Sequence, residues 1–226
     1  MKLQKETSTH GKWYDDACGA AFALELIGER WSALVMREMM FGPRRFTDLR
    51  AGLPSISAKV LTARLEGLEQ SGLVRRRQLA PPAASQVYEL TPLGQSADGL
   101  LLEMCRWSFA MPGWDRSLPT SSAALMLSMR ALFDADAAAG LAVEGTIRIA
   151  GDTFRVSVAD SRFKVERSED GDARFVISAP STGPLRRLVY GKVAPEDLSG
   201  FGLSVTGDES LALQFIDLFH LPKPVL

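Results

Sequence analysis

The stretch Ser57-Ala58-Lys59-Val60-Leu61-Thr62-Ala63-Arg64-Leu65, followed by Leu73-Val74-Arg75-Arg76-Arg77, decides how the first half of this chain folds. The Ser57 hydroxyl is placed to cap a helix, and Ile56 before the cap pairs with Leu61 inside it as a hydrophobic staple. Leu61, Leu65 and Leu68 fall on one stripe and need a partner surface, so Lys59, Thr62, Ala63 and Glu66 face the other way. Such an outer face is often no more than a solvated helix side. Its neighbours in the chain argue for more.

Upstream, Phe22, Leu24, Leu26, Ile27, Trp31, Leu34, Val35 and Met39 recur at helical spacings, with Gly28 dividing two short helices and Ser32 in the first turn of the second. In Arg44-Arg45-Phe46-Thr47-Asp48-Leu49, Phe46 and Leu49 give a short third helix one buried side and leave Arg44 and Arg45 outside; Pro54 closes the following turn. Downstream, residues 74–79 read as a basic strand, 80–85 as a proline-stiffened turn and 86–90 as a second strand. Helix, basic strand, turn and strand in that order spell a winged helix-turn-helix, whose partner is double-stranded DNA. On that reading Lys59 donates to phosphate or guanine, Thr62 hydrogen bonds or touches a thymine methyl, small Ala63 permits close approach, and Arg64 on the flank reaches a phosphate. Arg75, Arg76 and Arg77 belong to the wing. Thr91 and Pro92 then start one helix, 92–110, by cap and first-turn proline. Its apolar residues Leu100, Leu101, Met104, Trp107 and Phe109 exceed what a small winged domain needs.

Composition supports this division. The 226 residues are 46% hydrophobic with net charge -1, which suits two domains, taken as 1–118 and 119–226. Residues 1–118 hold 15 Lys+Arg against 13 Asp+Glu, residues 119–226 hold 11 against 14, and the window from Arg30 to Arg77 holds ten basic and four acidic residues. The positive field is therefore confined to the segment that would face phosphate. The start of the chain lacks a signal-peptide core, and no run reaches the ~20 apolar residues of a membrane span, so a cytoplasmic protein without membrane contact is expected. Cys18, Cys105, His10 and His220 have neither disulfide nor metal-ligand spacing, no metal or other cofactor is implied, and no nucleophile, base and orienting group assemble into an enzyme site.

Residues 18 to about 110 resemble the HxlR-type branch of winged helix regulators. Cys18, Leu26-Ile27-Gly28, Arg30-Trp31, Phe41-Gly42-Pro43-Arg44-Arg45-Phe46, Leu49, Ile56-Ser57, Lys59, Leu61-Thr62, Arg64-Leu65, Leu68-Glu69, Gly72-Leu73-Val74 and Leu90-Thr91-Pro92-Leu93-Gly94 carry the match. The chain departs at Gly19, where the family commonly has proline, and at Gln86, where it has an arginine near the wing tip. The second departure implies weaker minor-groove contact. The resemblance implies a homodimer paired through the first and last helices, reading an inverted repeat, usually as a repressor. Some members sense electrophiles or oxidants through a cysteine at the place of Cys18. Here the plain alternative is a small buried residue at a helix start.

After a linker around Pro112-Gly113-Trp114 to Ser122, residues 123–140 read as an alanine-rich helix with Leu125, Leu127, Met129, Leu132 and Phe133 as core. The period then becomes two over 146–149, 154–158, 163–166 and 174–177, with turns at Gly151-Asp152 and Asp170-Gly171-Asp172, which predicts antiparallel hairpins. A helix near 184–190, a strand at 203–206 and a closing helix over 209–221 complete an α+β layer, an antiparallel sheet covered by helices. Residues 145–219, above all Tyr190-Gly191-Lys192-Val193-Ala194-Pro195-Glu196-Asp197-Leu198 and Leu203-Ser204-Val205-Thr206-Gly207-Asp208, resemble the sterol-carrier-protein type of lipid-binding domain. That resemblance implies an apolar cavity, with Phe154, Phe175, Leu188, Phe201, Phe215 and Phe219 as its candidate lining. The spacing of these residues alone fits simple core packing.

Together these readings point to a DNA-binding regulator whose second half binds an apolar or aromatic small molecule that changes operator affinity. The alternatives are a redox regulator acting through Cys18 and a lipid-binding carrier or scaffold. The operator, the effector and individual base contacts do not follow from the sequence.

Overall fold

The computed structural model describes residues 14–79, 85–168 and 172–222. The chain divides into two compact units, Met1–Ala97 and Asp98–Leu226. This division falls within the helix expected over 92–110 and before the expected boundary at 118.

In the first unit, α1 (Gly19–Ile27), α2 (Ser32–Met39), α3 (Phe46–Gly52) and α4 (Ala58–Gln70) precede a hairpin of β1 (Val74–Gln78) and β2 (Gln86–Leu90). The expected Pro81 and Pro82 turn lies outside the described residues. Ser57 Oγ accepts the Val60 N–H at 3.2 Å, and Ile56 and Leu61 are both buried, so the predicted cap and the apolar pair beside it are in place. Leu61, Leu65 and Leu68 share the core with Val35, Met36, Met39 and Leu49. The wing also has a short third member that the sequence did not disclose. Arg44 exchanges both backbone hydrogen bonds with Tyr88, at 2.9 and 2.8 Å. Arg44 is thus extended chain beside β2, and the third helix starts only after Arg45.

The single helix expected over 92–110 is two, α5 (Pro92–Gln95) and α6 (Asp98–Phe109). Thr91 Oγ1 caps α5 by accepting the Gly94 N–H at 3.1 Å and itself donates to the Gly72 carbonyl at 2.6 Å. The Ser96 hydroxyl then bonds the Leu93 carbonyl at 2.7 Å, and the chain turns before α6.

In the second unit, α6 packs against α7 (Ser122–Ala131), with Arg130 forked onto Asp98 at 2.6 and 2.7 Å and Arg106 Nε donating to the Ala131 carbonyl at 3.0 Å. The alanine-rich helix therefore stops nine residues before Gly140, which the sequence took as its end. The Asp134 carboxylate accepts the Asp136 and Ala137 N–H groups, and Phe133 bridges to Phe219. Local side-chain bonds of this kind compete with the helix and end it. The expected linker is pinned: Arg186 donates to the Arg116 and Leu118 carbonyls and to Thr120 Oγ1, and the Thr182 hydroxyl donates to the Thr120 carbonyl.

A five-stranded sheet follows, β3 (Val143–Ile149), β4 (Asp152–Ala159), β5 (Arg162–Arg167), β6 (Phe175–Ala179) and β7 (Ser204–Gly207), ordered β5-β4-β3-β6-β7. The first three strands are the predicted hairpins. The first two-residue turn is Ala150-Gly151, one residue before the expected Gly151-Asp152, and the second is Asp160-Ser161; all four residues have positive φ, as tight hairpins of this twist require. The sheet is mixed, however, not antiparallel: β6 does not turn back on β5 but runs parallel to β3 on its far side. Alternation reports which face a strand buries, not its neighbour. At the β3–β6 seam Gly145 faces Phe175, whose ring lies in the space that a side chain at 145 would occupy. Helices α8 (Thr182–Gly191), α9 (Pro195–Leu198) and α10 (Glu209–Ile216) complete the unit. The closing helix ends five residues short of Leu221, so Leu218 and Phe219 sit beyond it, both still buried.

Candidate functional site

The outer side of α4 in the first unit is polar and of mixed charge, and it includes exposed Glu66. Lys59 and Thr62 are exposed on α4, and Ala63 and Arg64 are half-buried. Arg64 is committed within the protein, bound to Glu29 at 2.7 Å. Arg45 ties the start of α3 to the wing: its N–H donates to Asp48 Oδ2 at 3.1 Å, and its Nε donates to Ser85 Oγ at 3.1 Å.

The three wing arginines do not share one face. Successive residues of a strand point to opposite sides. Arg75 and Arg77 converge on Glu89 of β2, Arg75 through Nε and Nη2 at 2.8 and 2.7 Å and Arg77 through Nε at 2.9 Å. Arg76 turns the other way, bonds Glu69 at the end of α4 at 2.9 Å, and lies over the Tyr88 ring at 5.5 Å. The Glu69 carboxylate holds the Arg76 guanidinium above its ordinary pKa, so it stays charged. Gln86 is exposed and pairs with Gln78 at the outer end of the hairpin. The ten-to-four charge balance did not show that Glu29, Glu69 and Glu89 act as counterions; the ion pairs do, and the hairpin register accounts for one of them by setting Arg75 opposite Glu89.

Cys18 occupies the N-cap position of α1 and is exposed, in contrast to the buried alternative. Its backbone N–H donates to Asp16 Oδ1 at 2.9 Å. The Ala20 and then the Ala21 backbone N–H groups at the start of the helix lower the thiol pKa, because they favour the anion. Apolar side chains are exposed on both α1 and α6, among them Phe22 and Leu24 on the first and Leu100, Met104 and Trp107, 69% exposed, on the second. Phe109 instead packs against Trp114, ring centres 4.6 Å apart and planes tilted by 43°.

In the second unit, Phe175, Phe215 and Phe219 meet in one ring cluster: Phe175 to Phe215 at 5.5 Å and Phe215 to Phe219 at 5.0 Å. Phe163 and Phe133, absent from the sequence-based lining, join it, Phe163 at 5.1 Å from Phe219 and Phe133 at 6.0 Å. Phe154 is buried with the Arg167 guanidinium 4.7 Å from its ring centre, and Leu188 is buried on α8. Phe201 stands apart from them. It is 56% exposed on a single turn of 3-10 helix after α9, with Arg187 over its ring at 4.9 Å. No cluster of metal-ligating side chains occurs among the described residues, and no helix among them is long and apolar enough to cross a membrane.

Comparison with known proteins bears on the first part of the chain. The HxlR-like helix-turn-helix model matches residues 26–112. YodB, an HTH-type transcriptional regulator of Bacillus subtilis (strain 168), is 37% identical over 93 residues, 40% of this chain and 83% of that protein. YkvN, an uncharacterized HTH-type transcriptional regulator of the same organism, is 37% identical over 91 residues, 40% of this chain and 77% of the relative. Among solved structures, the reduced form of YodB is 32% identical and covers 43% of this chain and 97% of that one, with a TM-score of 0.39. The chain therefore belongs to the HxlR-like helix-turn-helix transcriptional regulators, through the segment that builds the capped helix and the wing.

Proposed function

We propose that this regulator binds an inverted-repeat operator as a homodimer and represses transcription from it in the cytoplasm, with residues 1–118 binding DNA and pairing subunits. The carrying observation is the exposed edge of α4, capped by Ser57 and bearing Lys59 and Thr62, together with a hairpin that exposes Arg75, Arg76 and Arg77. A helix of that kind fits the major groove, and a dimer presents two of them about 34 Å apart. The apolar residues exposed on α1 and on α6 are the material for the subunit contact. The test is an anisotropy titration onto the DNA upstream of the protein's own gene, at several salt concentrations, beside a scrambled duplex of equal length. A preference for the native duplex with a steep salt slope is expected. Equal binding to both at every salt concentration contradicts operator recognition there.

For the effector, the aromatic cluster of residues 119–226 supports an apolar or aromatic small molecule held between the sheet and α10. Such a ligand changes operator affinity only if it binds the DNA-competent and DNA-incompetent dimers differently. Unchanged DNA affinity on titration with cluster-binding apolar compounds counts against this. A second reading rests on Cys18, exposed with its thiolate favoured by two backbone N–H groups. YodB has been solved in quinone-bound form. If Cys18 is the sensor, Cys18→Ser abolishes the response of DNA binding to diamide or quinone.

A further inference from the structure

The wing's charge is divided in a way that sequence counting hides. Arg75 and Arg77 share one carboxylate, and the three groups differ in solvation: the Glu89 side chain is 12% exposed, those of Arg75 and Arg77 61% and 47%. The anion is enclosed while its two cations stay near water. The register explains how. Arg75 lies directly opposite Glu89, and Arg77 faces Val87, two positions along and on the same side, so its side chain reaches Glu89 along a diagonal of the hairpin. Arg76, on the opposite side, is balanced by Glu69. A hairpin with three consecutive arginines thus presents, on the Arg75 side, two guanidiniums held by one carboxylate and a net charge of one.

That arrangement has two consequences for a phosphate approaching the hairpin. It meets guanidiniums already oriented by Glu89, which lowers the ordering cost of a contact. It also meets the field of a fixed carboxylate a few ångströms behind them, which weakens any contact that depends on charge alone. Sequence-independent binding to the DNA backbone is of that second kind.

We propose that Glu89 is a positioning and specificity-determining residue of the wing: it holds Arg75 and Arg77 side by side and withholds one positive charge from non-specific DNA. The proposal rests on the DNA-binding reading above, in particular on the wing reaching DNA. Glu89→Gln is the test variant, since it keeps the shape and one of the two acceptor oxygens and removes the charge. Binding of the full chain and the variant to a random-sequence duplex is measured by anisotropy between about 50 and about 200 mM salt. The slope of log affinity against log salt should steepen by about 0.9, the value for one more neutralised phosphate, which is an extra three- to fourfold loss of affinity across that range. In an Arg75→Gln, Arg77→Gln background the same change should leave the slope unaltered. Glu89→Asp, too short to reach both guanidiniums, gives a second arm with a smaller steepening. A slope unchanged in Glu89→Gln, or weaker binding at every salt concentration, overturns the proposal. If Arg75→Gln, Arg77→Gln leaves the parent slope unchanged while the parent still binds, the wing does not touch DNA and the proposal falls with DNA binding intact; if the parent shows no salt-dependent binding, the DNA-binding reading itself fails.

Discussion

The two units spend their large side chains differently. The described core of the first is largely aliphatic and methionine, with Val35, Met36, Met39, Leu49, Leu61, Leu65 and Leu68 buried behind short capped elements, and its arginines remain at the surface in pairs with glutamates. The second places phenylalanines at its centre, Phe154, Phe175, Phe215 and Phe219 all fully buried, and holds its outer segments with arginines that bond backbone carbonyls or a carboxylate. The first keeps its wing arginines near the surface, paired with carboxylates. The second is built to bury rings, and its aromatic candidates for ligand contact are also its packing.

The contrast is sharpest in large-to-small substitutions. Phe215→Ala should cost the second unit about 3–5 kcal/mol, and Leu65→Ala should cost the first about 2–5 kcal/mol, measured by denaturant unfolding. If Phe215→Ala costs less than about 1 kcal/mol, the cluster is not close-packed, and the ligand reading gains at the expense of simple packing.

Next come two glycines. A Cβ at Gly94 would overlap the Leu73 carbonyl oxygen, and one at Gly145 would overlap the Phe175 ring. Both alanine variants should be destabilised by about 1–3 kcal/mol through overpacking. Gly94→Ala should be the worse, because a backbone carbonyl yields less readily than a ring. The reverse order would show that the aromatic core is the stiffer of the two.

Helix caps should make the units look alike. Ser57 and Ser121 each accept a backbone N–H, at 3.2 and 3.1 Å, so Ser57→Ala and Ser121→Ala should each cost about 1 kcal/mol. The smallest expected effects lie on the charged side. Arg76→Ala should make the salt slope of DNA binding shallower by about one with little loss of stability. Cys18 alkylation by iodoacetamide should reach half its maximal rate at lower pH in the folded chain than in the denatured one. The folded thiol pKa is depressed, so the associated stability is present above the unfolded pKa and is lost as pH falls through the folded one. Coincident profiles would show that the amides at the start of α1 do not reach the sulfur in solution.

Much of the first unit was legible because its information is local. The Ser57 cap, the Leu61, Leu65, Leu68 stripe, the Gly28 break and the Thr91-Pro92 start each act within about two turns of helix. What was missed there is non-local: the backbone pairing of Arg44 with Tyr88, and the three glutamates that take up Arg64, Arg75, Arg76 and Arg77. In the second unit the alternation found strands, yet it could not choose the partner of β6, end α7 at Ala131, or place Phe201 outside the aromatic cluster.

By itself, then, the sequence determined the capped helix with its polar edge, the basic hairpin and membership of the HxlR-like regulators, because periodicity and capping are short-range and the family match lies in the same segment. Only the tertiary structure decided which carboxylate each arginine faces, that β6 lies parallel to β3, and which phenylalanines meet. Those outcomes depend on register and on groups far apart in the chain, and their energies exist only once the strands are paired.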